Sequence, residues 1–153
     1  MNTPVESIEI ILIEDNQDDV DLIKAALEEN NVVNKVIHLK DGAEAADFIF
    51  HEGNFASGPA DTAPKVIMLD LNMPRMGGID LLKRVKVDES TRDIPIVVFT
   101  SSQDDPNLKE CYRLGVKNYI IKPLDFEQFK IAINKSIKGL LMYVSQVRRS
   151  GES

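Results

Sequence analysis

Tryptophan is absent from this chain of 153 residues, and cysteine occurs once, at position 111. A single cysteine excludes a disulfide within the chain and is typical of proteins in a reducing compartment, so we expect a cytoplasmic location. Basic residues are also few, because 18 lysines and arginines stand against 25 aspartates and glutamates, for a net charge of −7. Nucleic acids and anionic membranes bind basic surfaces, so this charge argues against both as partners.

Long apolar runs are missing as well, and none approaches the ~20 residues that a membrane-spanning helix needs. Residues 1–7 lack the basic segment followed by an apolar one that marks a signal peptide, and we expect them to be disordered. The chain has no internal repeat and no low-complexity tract. Its length is that of one ordinary domain with room for a buried core.

Short apolar runs recur along the chain and alternate with helical patterns. Strands are predicted at Ile8 to Ile13, Lys35 to Leu39, Val66 to Leu69, Ile94 to Phe99 and Asn118 to Ile121. Apolar residues at helical spacing follow each run, and the last of these helices is predicted from Phe126 to about Val147. Repeated alternation of strand and helix in one domain predicts a parallel sheet with helices on both faces.

Polar side chains follow four of these strands. Glu14 and Asp15 come after the first strand, Asp70 after the third, Thr100 after the fourth and Lys122 after the fifth. The carboxyl ends of parallel strands meet at one edge of the sheet, which is the usual ligand crevice of open α/β sheets. A lone aspartate such as Asp70 would more often cap the next helix, but chance does not readily produce four matching positions.

The chemistry of this set is consistent with phosphoryl transfer. Crowded carboxylates repel one another unless a cation joins them, and a set of oxygen ligands suits Mg²⁺. The lack of a cluster of cysteine and histidine argues against zinc, and His38 and His51 are interpreted as surface or packing residues. A carboxylate such as Asp70 beside Mg²⁺ is a reasonable nucleophile, with Lys122 and Thr100 covering the phosphoryl oxygens.

Other acidic residues have simpler interpretations. Asp18 and Asp19 fall at the start of the first helix, where carboxylates cap free N–H groups and suit the helix dipole. Asp105, followed by Pro106, is interpreted as the start of the fourth helix.

Four motifs together resemble the receiver domain of two-component response regulators. They are Ile-Leu-Ile-Glu14-Asp15-Asn, Leu-Asp70-Leu-Asn72-Met-Pro74, Phe-Thr100-Ser101 and Tyr119-Ile-Ile-Lys122-Pro123. The resemblance covers about residues 8–140 and implies a flavodoxin-like (βα)5 fold, a doubly wound parallel five-stranded sheet of order 2-1-3-4-5 in three α/β/α layers.

The resemblance also implies roles at the acidic end of the site. Asp70 would accept a phosphoryl group from a sensor histidine kinase. The Asp15 and Asp70 side chains and the Asn72 backbone carbonyl would bind Mg²⁺. Glu14 would act through a metal-bound water, and it departs from the family in that aspartate is often found at this position.

Further roles concern the response to phosphorylation. Lys122 would pair with Asp70 and the phosphoryl group, Thr100 would move toward that group, and Tyr119 would swing inward with it. Asn72 and Ser102 occupy positions that tune the dephosphorylation rate in the family. The bond between Lys122 and Pro123 resembles one that is cis in the family.

Two features depart from a minimal receiver. The loop Gly53 to Ala63 is longer, and we interpret it as mobile rather than functional. We expect no DNA-binding or enzymatic output domain after the receiver, which is expected to span residues 8–147 with an extended C-terminal helix, before a tail at 148–153. Both features resemble the single-domain response regulators of bacterial and cyanobacterial phytochromes, and this resemblance implies a phytochrome as the kinase partner.

The last helix carries an extended apolar stripe, Leu140, Val144 and Val147. It would suit a homodimer formed through the last strand and helix region, as in many members of that subfamily. An ordinary core helix with a frayed basic tail explains the same stripe. A histidine phosphotransfer protein is a further possible partner, if the chain is a relay shuttle and not a terminal output.

Three functions are therefore compared. A phosphorylation-controlled interaction switch is favoured, with chemistry limited to gaining and losing a phosphoryl group. A Mg²⁺-dependent phosphohydrolase with Asp70 as nucleophile would need a second acid and a substrate-binding cap, and neither is visible near Leu71 and Asn72. A scaffold that does not depend on phosphorylation would not need the full set of site residues.

Overall fold

Five parallel strands form the centre of the computed structural model, which describes residues 9–29, 35–53, 65–73, 77–122, 126–128, 130–132 and 135. The strands are β1 (Glu9–Ile13), β2 (Lys35–Leu39), β3 (Lys65–Asp70), β4 (Ile96–Thr100) and β5 (Asn118–Ile121). Their order in the sheet is β2-β1-β3-β4-β5. The predicted flavodoxin-like fold and its strand order are confirmed.

Helices connect the strands and cover both faces of the sheet. They are α1 (Gln17–Glu29), α2 (Gly42–Ile49), α3 (Gly78–Val87) and α4 (Pro106–Arg113). Helical residues follow β5 at 126–128, 130–132 and 135. None of the described helices is both long and apolar enough to cross a membrane.

Several expectations concern residues outside the described ranges. These are the disordered segment 1–7, the loop at positions 54–63, the bond to Pro123, the dimer stripe Leu140, Val144 and Val147, and the tail at 148–153.

The strands are apolar on both faces because both faces are covered by helices. In β1, Ile10 and Leu12 join a cluster that includes the apolar side of α1, whereas Ile11 and Ile13 join a second cluster. Residues from α2, α3 and α4 complete that second cluster. The sheet therefore has a hydrophobic core on each side, and its polar residues are left at the strand ends.

Strand boundaries differ slightly from the sequence prediction. β4 begins at Ile96 and not at Ile94, because Pro95 has no N–H to donate to a neighbouring strand. The Pro95 carbonyl still accepts a hydrogen bond from the Ile67 N–H at 3.0 Å.

Gly115, with φ of +94°, follows the end of α4, a position where glycine adopts a left-handed conformation without strain.

The register of the strands brings their carboxyl ends together. Ile13 is level with Leu69, and Asp70 is level with Phe99. The backbone N–H of Lys122 donates to the carbonyl of Thr100 at 2.7 Å. The residues that end β1, β3, β4 and β5 therefore share one edge of the sheet.

Candidate functional site

Three carboxylates meet at this edge. One oxygen each from Glu14, Asp15 and Asp70 lies within 4.8 Å of the others. Glu14 is 0% exposed and Asp70 is 4% exposed, whereas Asp15 is open to solvent. The sequence brings these acids together because β1 and β3 are neighbours that end at the same level.

Lys122 supplies the positive charge beside these acids. Its Nζ forms a short ion pair with Glu14, lies 2.8 Å from Asp19 Oδ2 and lies 3.6 Å from Asp70 Oδ2. The Lys122 side chain is only 14% exposed, so these interactions are poorly screened by water. One ammonium group is therefore shared among several carboxylates.

Two members of this cluster, Glu14 and Lys122, have pKa values above their ordinary ones. Burial, aided by the hydrogen bond and the charge of Asp70, raises the pKa of Glu14 to about 8, against the opposing effect of Lys122. Burial by itself would lower the pKa of Lys122, but hydrogen bonds to Asp19 and Glu14 and the charge of Asp70 outweigh it and raise that pKa. The site therefore carries excess negative charge that a cation can relieve.

Backbone groups orient the acids. The Asn72 N–H donates to Asp70 Oδ1 at 2.9 Å, and the Asn16 N–H lies 3.4 Å from Glu14 Oε2. His38 Nε2 lies 2.7 Å from the Glu14 carbonyl oxygen, and because a carbonyl only accepts, Nε2 carries the proton. His38, interpreted as a surface or packing residue, is half-buried and fixes the end of β1.

Thr100 is fully buried beside these residues. Its Oγ1 lies 3.0 Å from Asp105 Oδ2 and 3.2 Å from the Ser102 carbonyl. The Ser102 N–H lies 3.4 Å from the same Oγ1, and the Ser102 hydroxyl accepts from the Asp104 N–H at 3.0 Å. Thr100 is thus held within the loop that leads from β4 to α4.

Tyr119 lies on β5, level with Val98 of β4. Its half-buried ring packs edge-on against the ring of Tyr112, with centroids 6.0 Å apart and an interplanar angle of 79°. Tyr112 is 47% exposed, so this aromatic pair forms part of the protein surface next to α4.

Two residues of the site were missed by sequence reasoning. Asp19 was interpreted as a capping residue, but Asn16 caps α1 by accepting from the Asp19 N–H at 3.1 Å, and the Asp19 carboxylate contacts Lys122. Asp105 does cap α4, through Oδ1, while its Oδ2 bonds Thr100 and, at 3.2 Å, Asn72 Nδ2. Helix capping or the helix dipole was a sufficient explanation for both acids in the sequence, so no sequence signal marked them as site residues.

The donor set fits a divalent cation such as Mg²⁺. The clustered side chains offer carboxylate oxygens only, which hard divalent cations prefer. Glu14 and Asp70 are buried and Asp15 is exposed, so a cation can reach the cluster from solvent and keep water ligands.

Comparison with known proteins adds independent findings. Residues 10–134 match the model of the response regulator receiver domain family. The probable methanogenesis regulatory protein FilR2 of Methanothrix harundinacea is 36% identical over 127 residues, which are 82% of this chain and 79% of that protein. Response regulator Rcp1 of Synechocystis is 32% identical over 113 residues, covering 74% of this chain and 75% of Rcp1.

Solved structures agree with these sequence matches. The bacteriophytochrome response regulator RtBRR superposes with a TM-score of 0.71 and 34% identity, covering 94% of this chain and 95% of that chain. The Mn²⁺-bound form of Rcp1 superposes with a TM-score of 0.67 and 27% identity, covering 91% and 90% of the two chains. Relatives of this chain therefore include phytochrome-associated regulators and a metal-bound structure.

Proposed function

Because the chain belongs to the response regulator receiver domain family of two-component systems, we propose that it is a switch phosphorylated on Asp70. A sensor histidine kinase supplies the phosphoryl group, and the modified protein signals through altered contacts with other proteins. The observation that carries this proposal is the position of the Asp70 carboxylate, beside two further acids and 3.6 Å from the Lys122 ammonium.

The side chains of this site suit attack by a carboxylate on phosphorus. An Asp70 oxygen forms the new O–P bond while the P–N bond of the donor phosphohistidine breaks, and the departing imidazole nitrogen keeps the electron pair and takes up a proton. The Asn72 N–H, bonded to Oδ1, fixes the rotation of the Asp70 carboxylate. Lys122 and the Thr100 hydroxyl stabilise the charge on the phosphoryl oxygens.

Glu14, Asp15, the Asp70 side chain and the Asn72 carbonyl are the groups that would hold Mg²⁺. When bound, this cation neutralises charge on the acids and on the incoming phosphoryl group. The raised pKa of Glu14 and the gathered oxygen ligands support a cation at this position.

The response to phosphorylation involves Thr100 and Tyr119. Thr100 moves toward the phosphoryl group, and Tyr119, now packed on Tyr112 at the surface, turns inward with it. Asn72 and Ser102 adjoin the same site, and we assign them to control of the dephosphorylation rate.

The partner class is a sensor kinase of the phytochrome type. The bacteriophytochrome regulator RtBRR supports this assignment through its likeness over nearly the whole of both chains. Four points remain predictions from the sequence. Two concern partners, a homodimer through the last strand and helix region and a histidine phosphotransfer protein. The others are the receiver bounds 8–147 and the cytoplasmic location.

Incubation with acetyl phosphate tests this proposal. We expect intact-mass spectrometry to find a single phosphoryl group per chain in the presence of Mg²⁺ and none when EDTA is present. A generic phosphomonoester should not be turned over, because the chemistry of the switch ends at Asp70. Multiple turnover of such an ester would indicate a phosphohydrolase, and absence of any adduct under all conditions would support a scaffold.

A further inference from the structure

Asp105 joins three parts of the site that are separate in sequence. Its Oδ1 accepts from the Asn107 N–H at 2.9 Å and caps α4. Its Oδ2 accepts from Thr100 Oγ1 at 3.0 Å and from Asn72 Nδ2 at 3.2 Å. We call these four residues, Asn72, Thr100, Asp105 and Asn107, the Asp105 cluster.

The hydroxyl of Thr100 has a single proton, so it can donate to only one acceptor at a time. Two acceptors are within reach, the Asp105 carboxylate at 3.0 Å and the neutral Ser102 carbonyl at 3.2 Å. An ionised acceptor forms the stronger hydrogen bond, so the proton points toward Asp105.

Asn72 links the same carboxylate to the phosphoacceptor. Its backbone N–H donates to Asp70 Oδ1 at 2.9 Å, while its side-chain amide donates to Asp105 Oδ2. Asp105 therefore restrains both the Thr100 hydroxyl and the loop that follows Asp70.

We propose that Asp105 is a positioning residue that holds the unphosphorylated state by competing with the phosphoryl group for the Thr100 hydroxyl proton. This inference rests on the proposed function. When Asp70 is modified, Thr100 donates to a phosphoryl oxygen and its bond to Asp105 Oδ2 is lost. Because Asp105 also caps α4, the same exchange carries the signal to the first turn of that helix.

Asp105→Asn separates the restraint from the cap. The amide oxygen still accepts from the Asn107 N–H, but an NH₂ group replaces the oxygen that held Thr100 and Asn72. Asp105→Ser is a second variant, because serine is a good capping residue whose single oxygen is used by the cap. Both variants should fold and should lack the restraint on Thr100.

The test measures affinity for beryllium fluoride, a mimic of the phosphoryl group, in the presence of Mg²⁺ by fluorine NMR. Removing a competing charged hydrogen bond should tighten binding by roughly three- to tenfold in Asp105→Asn and Asp105→Ser. The matched control is Asp41→Asn, because Asp41 caps α2 by accepting from the Glu44 N–H at 2.8 Å. That variant should bind as tightly as the wild type.

A second comparison separates the hydroxyl from the charge of Asp105. In a Thr100→Val background, Asp105→Asn should change the affinity by less than about twofold, because the competed proton is gone. A gain that persists without the hydroxyl, or no gain at all, would overturn the role of Asp105. If the wild type neither binds the mimic nor gains a phosphoryl group, the proposed function fails together with this inference. If the wild type does both, but Asp105→Asn binds the mimic no more tightly than the wild type, only the inference about Asp105 is contradicted.

Discussion

Lys122→Met is expected to slow phosphoryl transfer to Asp70 by about a hundredfold or more, the usual effect of removing one charge-stabilising donor from a reaction site. The reason lies in the position of the ammonium, 3.6 Å from Asp70 Oδ2 and otherwise bonded to Glu14 and Asp19. Methionine keeps most of the length of the side chain and removes its charge. The rate of adduct formation from acetyl phosphate, followed by intact mass, measures the effect.

Lys130→Met is the matched control for this variant. Lys130 also pairs with acids, Glu29 at 2.7 Å and Glu127 at 3.2 Å, but neither of them belongs to the carboxylate cluster. Its loss should leave the rate of transfer unchanged. If the rate of adduct formation in Lys122→Met is within about threefold of the rate in Lys130→Met, Lys122 does not contribute to phosphoryl transfer.

Glu14→Gln is expected to stabilise the metal-free protein at alkaline pH. The pKa of Glu14 is raised from its ordinary 4.5 to about 8 in the folded chain. A carboxyl with a raised folded-state pKa gives stability that is fully present below its unfolded value and is lost as the pH rises toward the folded value. Glutamine does not ionise, so the variant escapes that loss.

We expect Glu14→Gln to exceed the wild type in free energy of unfolding by about 1–3 kcal/mol at about pH 8, with a smaller difference at about pH 5. This range is smaller than the free energy that corresponds to the whole pKa shift of Glu14, because we expect Lys122 and Asp70 to rearrange when Glu14 is replaced. Urea unfolding followed by circular dichroism, with EDTA present, gives both values.

Glu52→Gln provides a control of opposite sign. Its hydrogen bond to Arg84 holds the pKa of the exposed Glu52 below its ordinary value, so the stability it gives is present above that value and is lost as the pH falls. Glu52→Gln should therefore lower the free energy of unfolding more at high pH than at low pH, the opposite pH dependence to that of Glu14→Gln. A loss of stability in Glu14→Gln, equal at both pH values, would contradict a raised pKa of Glu14 in the folded chain.

Much of the architecture followed from the sequence because parallel topology leaves little freedom. Apolar runs such as Val66 to Leu69 can be buried on both faces only if helices cover both sides of the sheet. Once the strands are parallel, the residues that end them must share one edge, and this is why Asp70 and Lys122 were predicted to be close. The structure places them there.

The contributions of Asp19 and Asp105 did not follow from the sequence, because a local explanation was already sufficient for each. Both fall at helix starts, where an acid is explained by capping or by the helix dipole. A carboxylate has two oxygens, however, and the sequence does not show where the second one points. In Asp105 the second oxygen reaches Thr100 and Asn72, and in Asp19 the carboxylate reaches Lys122 across the sheet edge.

The environment of Tyr119 also required the structure. The sequence places this residue on the last strand, but its contact with Tyr112 depends on how α4 lies against β5. Helix packing of this kind depends on the shapes of many side chains, and no short motif encodes it.

Asp70 is proposed as the phosphoacceptor, and a comparison of three proteins by mass tests this role. Wild type, Asp70→Asn and Asp80→Asn are each incubated with acetyl phosphate and Mg²⁺ and examined by intact-mass spectrometry. Asp80 is an exposed acid in the first turn of α3, so its amide is a matched control. We expect one phosphoryl group on the wild type and on Asp80→Asn, and none on Asp70→Asn, because an amide is not a nucleophile for phosphorus. A phosphoryl group that persists on Asp70→Asn would contradict the claim.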